Sequence, residues 1–198
     1  MPKDASPLES RTPRPEEEIR AYTVGELKPY SNPVLVVDYD ASWPELFARE
    51  AERIRAVLGS RALRIEHVGS TSVPGLAAKP TIDLLLVVAD SAEEEAYTPA
   101  LEAAGYVLRI REPDWYQHRM FKGPDTDINL HVFSNGCPEI GRMLTFRDRL
   151  SSNSADRDLY ARTKLALARK EWKYVQHYAD AKTAIIDQIL ANSSVHRK

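Results

Sequence analysis

The run Thr81-Ile82-Asp83-Leu84-Leu85-Leu86-Val87-Val88 is the strongest constraint on what this chain can fold into. Apart from Asp83 it is apolar at both odd and even positions. A strand sends alternate side chains to opposite faces, so such a run belongs in a central strand covered on two faces. Asp83 then stands out. A carboxylate without a partner is costly in apolar surroundings, so it must lie at a strand end, pair with a cation or bind a metal. Two readings stand: an Asp that caps a nearby loop, and a ligand carboxylate beside a phosphate-binding loop.

The segment before this strand suits the second reading. Gly69-Ser70-Thr71-Ser72 offers small residues that let backbone N–H groups approach a phosphate, and its hydroxyls add donors. Pro74-Gly75 makes a further turn. Lys79 brings a positive charge four residues before Asp83, to meet a phosphate or to neutralise the carboxylate.

Around this centre the pattern gives a mixed α/β order. Val34 to Val37 reads as a strand. Ser42 and Glu45 have the spacing of a capping box before a helix over Trp43 to Leu58, which Gly59 stops. Leu63 to Val68 alternates as a strand, with Leu63, Ile65 and His67 on one face. Ser91 and Glu94 suggest a second capped helix ending at Gly105. Tyr106–Ile110, Tyr116–Phe121 and Asp127–Phe133 read as strands, and Gly123-Pro124-Asp125 makes the last two a hairpin. From Pro138 the pattern is helical: one segment to about Leu150, then one or two helices from Ala155 to Leu190. No Gly-x-Gly-x-x-Gly opens a helix and no Walker-type loop is present.

Alternation on the last strand puts Asp127, Asn129 and His131 on one face and Ile128, Leu130 and Val132 on the other. Beside the Asp83 strand, His131 would ligate a divalent metal with Asp83 or act as a base; otherwise it is a hydrogen-bonded sheet histidine. His67 shares its face with apolar residues and reads equally as a satisfied core histidine. Glu66 points the other way by parity and reads as a local ion pair. His118 carries the weakest signal of the three histidines.

Residues 1–33 hold six of the thirteen prolines and the block Glu16-Glu17-Glu18, and read as a partly disordered extension. Residues 34–190 form one domain, and residues 191–198 a fraying tail. The net charge of -2 does not call for nucleic acid as a partner. A lone Cys137 excludes a disulfide within the chain and a cysteine-based metal cluster. The start lacks the apolar core of a secretory signal, and no run reaches the ~18 apolar residues of a membrane helix, so a cytoplasmic protein is expected. Arg157, Arg162, Lys164, Arg169, Lys170, Lys173 and Lys182 read mainly as a solvated helix face.

The stretch Ile65-Glu66-His67-Val68-Gly69-Ser70-Thr71-Ser72-Val73-Pro74-Gly75-Leu76-Ala77-Ala78-Lys79-Pro80-Thr81-Ile82-Asp83-Leu84 resembles the signature of the GrpB family, also called UPF0157. Asn129-Leu130-His131-Val132-Phe133, Phe146-Arg147-Asp148 and Tyr178–Ile186 extend the resemblance to roughly Val34–Leu190. It implies a nucleotidyltransferase-like mixed sheet flanked by helices, with a helical C-terminal region. The superfamily pattern is an apolar residue and Gly-Ser, about a dozen residues, then two acids separated by one residue on a strand. Val68-Gly69-Ser70 and Asp83 match it, with twelve residues between Ser70 and Asp83. The second acid position holds Leu85, and His131 is the nearest match to a third acid.

The resemblance implies a nucleotide or other phosphorylated small molecule as partner. Gly69, Ser70, Thr71, Lys79, Arg147 and Lys182 would contact phosphate, and Tyr178 would stack on a base. Mg2+ would be held by Asp83 and His131, and an NTP would be the substrate. Three functions stay open: metal-dependent nucleotidyl transfer from an NTP to a small molecule, a non-catalytic module for a nucleotide or CoA-like ligand, and a metal-dependent phosphoester hydrolase.

Overall fold

A computed structural model describes residues 14–30 and 33–195. The expected disorder of the first residues and the end of the tail fall outside the described residues. Seven α-helices and five strands are described: α1 (Glu16–Tyr22), α2 (Trp43–Leu58), β1 (Arg64–Val68), β2 (Ile82–Val88), α3 (Thr98–Ala103), β3 (Val107–Glu112), β4 (His118–Lys122), β5 (Ile128–Ser134), α4 (Pro138–Ser152), α5 (Ser154–Ala168), α6 (Val175–Asp180) and α7 (Thr183–Val195). The strands form one sheet in the order β1-β2-β5-β4-β3. β2 and β5 are parallel, and the other neighbours are antiparallel.

The apolar run thus occupies an interior strand, covered on both faces. On one face Leu84, Leu86, Leu130 and Val132 pack against Trp43, Ala51, Ile54 and Leu58 of α2 and Leu101 of α3. On the other, Leu85, Val87 and Phe133 pack under Ile140, Met143 and Leu144 of α4. A fully buried side chain of this size contributes about 1.5–3 kcal/mol, so covering the second face is a large term and α4 is required there.

The C-terminal helices are fastened to the loop between β1 and β2. Val73 and Leu76 from that loop share a cluster with Leu150 of α4, Tyr160 of α5, and Ile185 and Ile189 of α7. This packing draws α5 and the α6–α7 corner over the end of β2 that carries Asp83.

Several expected elements differ. Val34–Val37 is not a strand; Val37 makes a single bridge to Ala78, too little for a ladder. Ser42 occupies the cap position of α2 without a side-chain cap bond, and its own N–H donates to Asp40 instead. Ser91 starts no helix. Its hydroxyl bonds Ser134 across the end of the sheet, and the next α-helix begins at Thr98. The expected helical stretch from Ala155 is broken into α5, α6 and α7.

Under α2, Glu50 is fully buried and accepts a hydrogen bond from the Tyr106 hydroxyl at 2.6 Å. Tyr106→Phe removes that donor from a buried carboxylate. Urea unfolding should show a loss of about 1–3 kcal/mol with an unchanged m-value.

Candidate functional site

Gly69 and Asp83 form the centre of the site. Val68 lies opposite Asp83 in the β1–β2 register, so the chain turns into its loop directly beside the carboxylate. Gly69 makes that turn with φ +70, a conformation that side chains other than glycine's disfavour. A Cβ at Gly69 would lie 2.9 Å from the Asp83 Cβ and closer still to Oδ2. The site therefore requires both the left-handed backbone and the missing side chain at position 69.

The hydroxyls that follow are committed within the protein. Thr71 is buried; its Oγ1 donates to the Thr81 carbonyl at 3.2 Å and bonds His67 Nε2 at 3.0 Å. Ser72 Oγ donates to the Gly69 carbonyl at 2.6 Å. Burial raises the Tyr160 phenol's pKa, and the nearby Ser70 side chain opposes that rise. Sequence alone presents three donors to a ligand, whereas the structure uses two of them, on Thr71 and Ser72, to close the loop.

Asn129 and His131 flank Asp83 from β5. The register pairs Asp83 with Asn129 and Leu85 with His131, which puts all four side chains on one face, as alternation predicts. Asn129 Nδ2 donates to Asp83 Oδ1 at 2.7 Å, and His131 Nε2 stands 3.7 Å from the same oxygen. Burial pushes the Asp83 carboxyl up, but the imidazole of His131, the Asn129 amide and the charge of Lys182 outweigh it, so the group stays below its usual range. Asp83 retains 26% and His131 23% side-chain exposure, so a ligand can reach both.

Two lysines approach from the helices. Lys182, in the α6–α7 corner, lies over the Tyr178 ring at 4.6 Å and is coupled electrostatically to Asp83. Burial holds its ammonium below the ordinary lysine value. Tyr178 is itself buried, with Trp172 against its ring edge. Lys164 of α5 is 2% exposed. Its Nζ donates to the Ala77 carbonyl at 2.6 Å and lies 4.8 Å from the Tyr160 ring centroid. Burial and the neighbouring Lys182 charge depress its pKa to about 7, against the opposing pull of Asp83. Sequence alone places Lys164 among solvated helix cations. Only the packing of α5 on the β1–β2 loop reveals that it is buried.

The remaining expected cations have carboxylate partners of their own. Lys79 pairs with Asp127 at 3.9 Å rather than with Asp83. Arg147 is held by Glu66 at 2.9 Å, by the His67 carbonyl and by Asp148. Glu66 is thus an ion-pair residue, matching its sequence reading. His67 is half-buried: it stacks on Phe47, bonds Thr71, and desolvation lowers its pKa to about 4.

His118 gave a weak sequence signal and proves to be the neighbour of His131. The rings stack at 5.2 Å with His118 Nε2 3.0 Å from His131 Nδ1, while His118 Nδ1 lies 2.7 Å from Glu112 Oε2. Among the described residues, no group of three or more His, Cys, Asp and Glu side chains is placed to hold a metal ion, and no helix is long and apolar enough to cross a membrane.

Two predictions follow from this geometry. Gly69→Ala should cost at least ~1–2 kcal/mol in chemical denaturation from its backbone conformation alone. Its clash with Asp83 should make the loss less than additive with Asp83→Ala. For Lys164, the unfolded chain holds a proton that the folded chain releases at about pH 7. Between that point and the ordinary lysine value the unfolded state binds more protons, so stability should rise with pH. Lys164→Met should flatten this rise, which thermal unfolding across that range would measure.

The GrpB protein family model matches residues 33–192. A UPF0157 protein of Halalkalibacterium halodurans is 62% identical over 97% of this chain and 97% of its own length. The crystal structure of the conserved protein GrpB from Enterococcus faecalis superposes with a TM-score of 0.71 at 31% identity, covering 80% of this chain and 96% of that one. A chain of the GLD-2/RNP-8 complex shares the fold alone, with a TM-score of 0.52 at 13% identity over 75% of this chain and 60% of that one. These similarities show that the chain belongs to the GrpB family.

Proposed function

We propose that this chain binds a nucleotide, or another phosphorylated small molecule, in the recess between Asp83, His131 and the α5–α7 helices. The observation that supports this reading is the gathering of a buried lysine, Lys164, and a half-buried one, Lys182, around one partly open carboxylate. A desolvated ammonium gains more from an incoming phosphate than an exposed one does, because water no longer screens it. Phosphate binding would also restore the positive charge on Lys164 that burial suppresses near neutral pH.

The residues do not fit a site for two metal ions. Such a site needs carboxylates to hold both ions against attacking and leaving oxygens. The second acid position is Leu85, fully buried in the apolar cluster under α4. Its neighbour across β1, Glu66, is already paired with Arg64 and Arg147. A single Mg2+ delivered with a nucleotide's phosphates would find one hard ligand in Asp83, consistent with magnesium's preference for oxygen and few protein ligands. Binding of a phosphorylated ligand is therefore favoured over nucleotidyl transfer. Transfer from an NTP to a small molecule is the second reading, favoured by the convergence of Asp83 and His131 at an accessible point.

Isothermal titration with ATP and Mg2+ tests the proposal. Saturable binding is expected for the wild type, with Asp83→Asn abolishing the magnesium-dependent part while the fold is retained. Lys182→Ala should weaken binding by about tenfold, roughly 1.4 kcal/mol. Unchanged affinity in both variants would remove the recess from consideration. Pyrophosphate release with an acceptor alcohol would move the assignment to transfer.

A further inference from the structure

We infer that the segment from Arg14 to Tyr30 is an intramolecular strap that holds the α6–α7 corner against the sheet, with Arg14 as its latch and as the residue that positions Lys182. The inference deepens the proposed binding site and rests on that reading only in assigning Lys182 to it.

The strap is anchored on the outer edge of the sheet. β3 is the last strand in the sheet order, so strand pairing leaves its outer side open. The strap docks along that side. Thr23 bridges Ile110, and the Val24 N–H donates to the Arg109 carbonyl at 2.8 Å. The Arg109 guanidinium donates back to the Glu26 carbonyl at 3.0 Å. These bonds fix the middle of the strap to β3.

The same segment grips α6 and the loop before it. Ile19 and Tyr22 share a buried cluster with Tyr174, the residue at the start of α6, and Ile110 of β3 packs against it. Glu16 pairs with Lys173, and the Tyr30 N–H donates to the Lys173 carbonyl at 2.8 Å. His177 Nε2 lies 3.1 Å from the Arg14 carbonyl. A carbonyl only accepts, so the ring nitrogen is the donor.

Arg14 joins sheet and helix directly. Its Nη1 donates to Glu112 Oε1 on β3 at 3.1 Å, while Nε and Nη2 bond the two oxygens of Asp180 on α6 at 3.0 and 2.8 Å. A planar guanidinium suits such a two-pronged bond, which an ammonium cannot reproduce. Glu112 and Asp180 are each 14% exposed at the side chain, so water screens them little. Without Arg14, two carboxylates, one on the sheet and one on the helix, would be left facing each other. Asp180 closes α6 and Lys182 follows two residues later, its N–H bonded to the Ala179 carbonyl. Through that short link the anchor at Asp180 also constrains Lys182. The strap precedes residue 33, where the family match begins, so the latch is an addition to the matched domain.

Hydrogen–deuterium exchange of the full chain without nucleotide tests the strap. Arg14→Ala should speed exchange over residues 174–190 by about tenfold, while β2 and β5 keep their protection. Adding Asp180→Ala to Arg14→Ala removes one of the facing charges and should recover part of the protection, which loss of a contact alone would not do. If Arg14→Ala does not fold, Asp180→Ala by itself cuts the latch from the helix side and should also speed exchange there. Unchanged exchange over 174–190 in the single variant would overturn the strap, as would a double variant no better protected than Arg14→Ala. Titration with ATP and Mg2+ then reads the link to the site: the loosened variant should bind about threefold more weakly. Equal affinity would overturn the positioning of Lys182. Absence of binding by the wild type would instead count against the binding site and leave the exchange result to decide the strap.

Discussion

The contact between Gly69 and the Asp83 side chain underlies the organisation of this molecule. β2 needs apolar cover on both faces, and a carboxylate in it is tolerated only where the cover stops. The left-handed turn at Gly69 stops it, opening the strand end at position 83 and sending the chain into a loop that carries Val73 and Leu76. Those two residues hold α5 and α7, and the helices in turn supply Lys164 and Lys182. One backbone feature therefore sets the location of the carboxylate and of the cations opposite it.

The electrostatic balance is uneven by construction. Asp83 is steadied by Asn129, His131 and the field of Lys182, and stays ionised despite burial. The lysines pay for that proximity with desolvation that a single carboxylate does not offset for both. With two lysines beside one carboxylate, the proposed binding region is short of negative charge, the condition in which an anionic ligand gains most. On the β5 side, the paired imidazoles and Glu112 continue the polar network to Arg14 and Asp180, linking the sheet to α6 behind the site.

Much of this was legible in the sequence because it depends on local periodicity. The two-sided apolar run places β2 in the sheet interior, and alternation puts Asp83 and His131 on a common face. The Gly-Ser turn marks where the carboxylate lies. Features set by tertiary packing were not legible. Lys164 looks like its solvated neighbours until α5 docks on the β1–β2 loop. His118 becomes the neighbour of His131 only through the β3–β4–β5 register. The hydroxyls of Thr71 and Ser72 look available to a ligand because nothing local reveals their partners in the folded chain. Val34–Val37 has strand-like composition but finds only one bridging partner.

A crystal structure of the protein grown with ATP and Mg2+ tests the central claim most directly. The account predicts phosphate density against the ammonium groups of Lys164 and Lys182, with Asp83 and His131 beside the ligand. A nucleotide bound elsewhere, with that recess closed over by side chains, would contradict it.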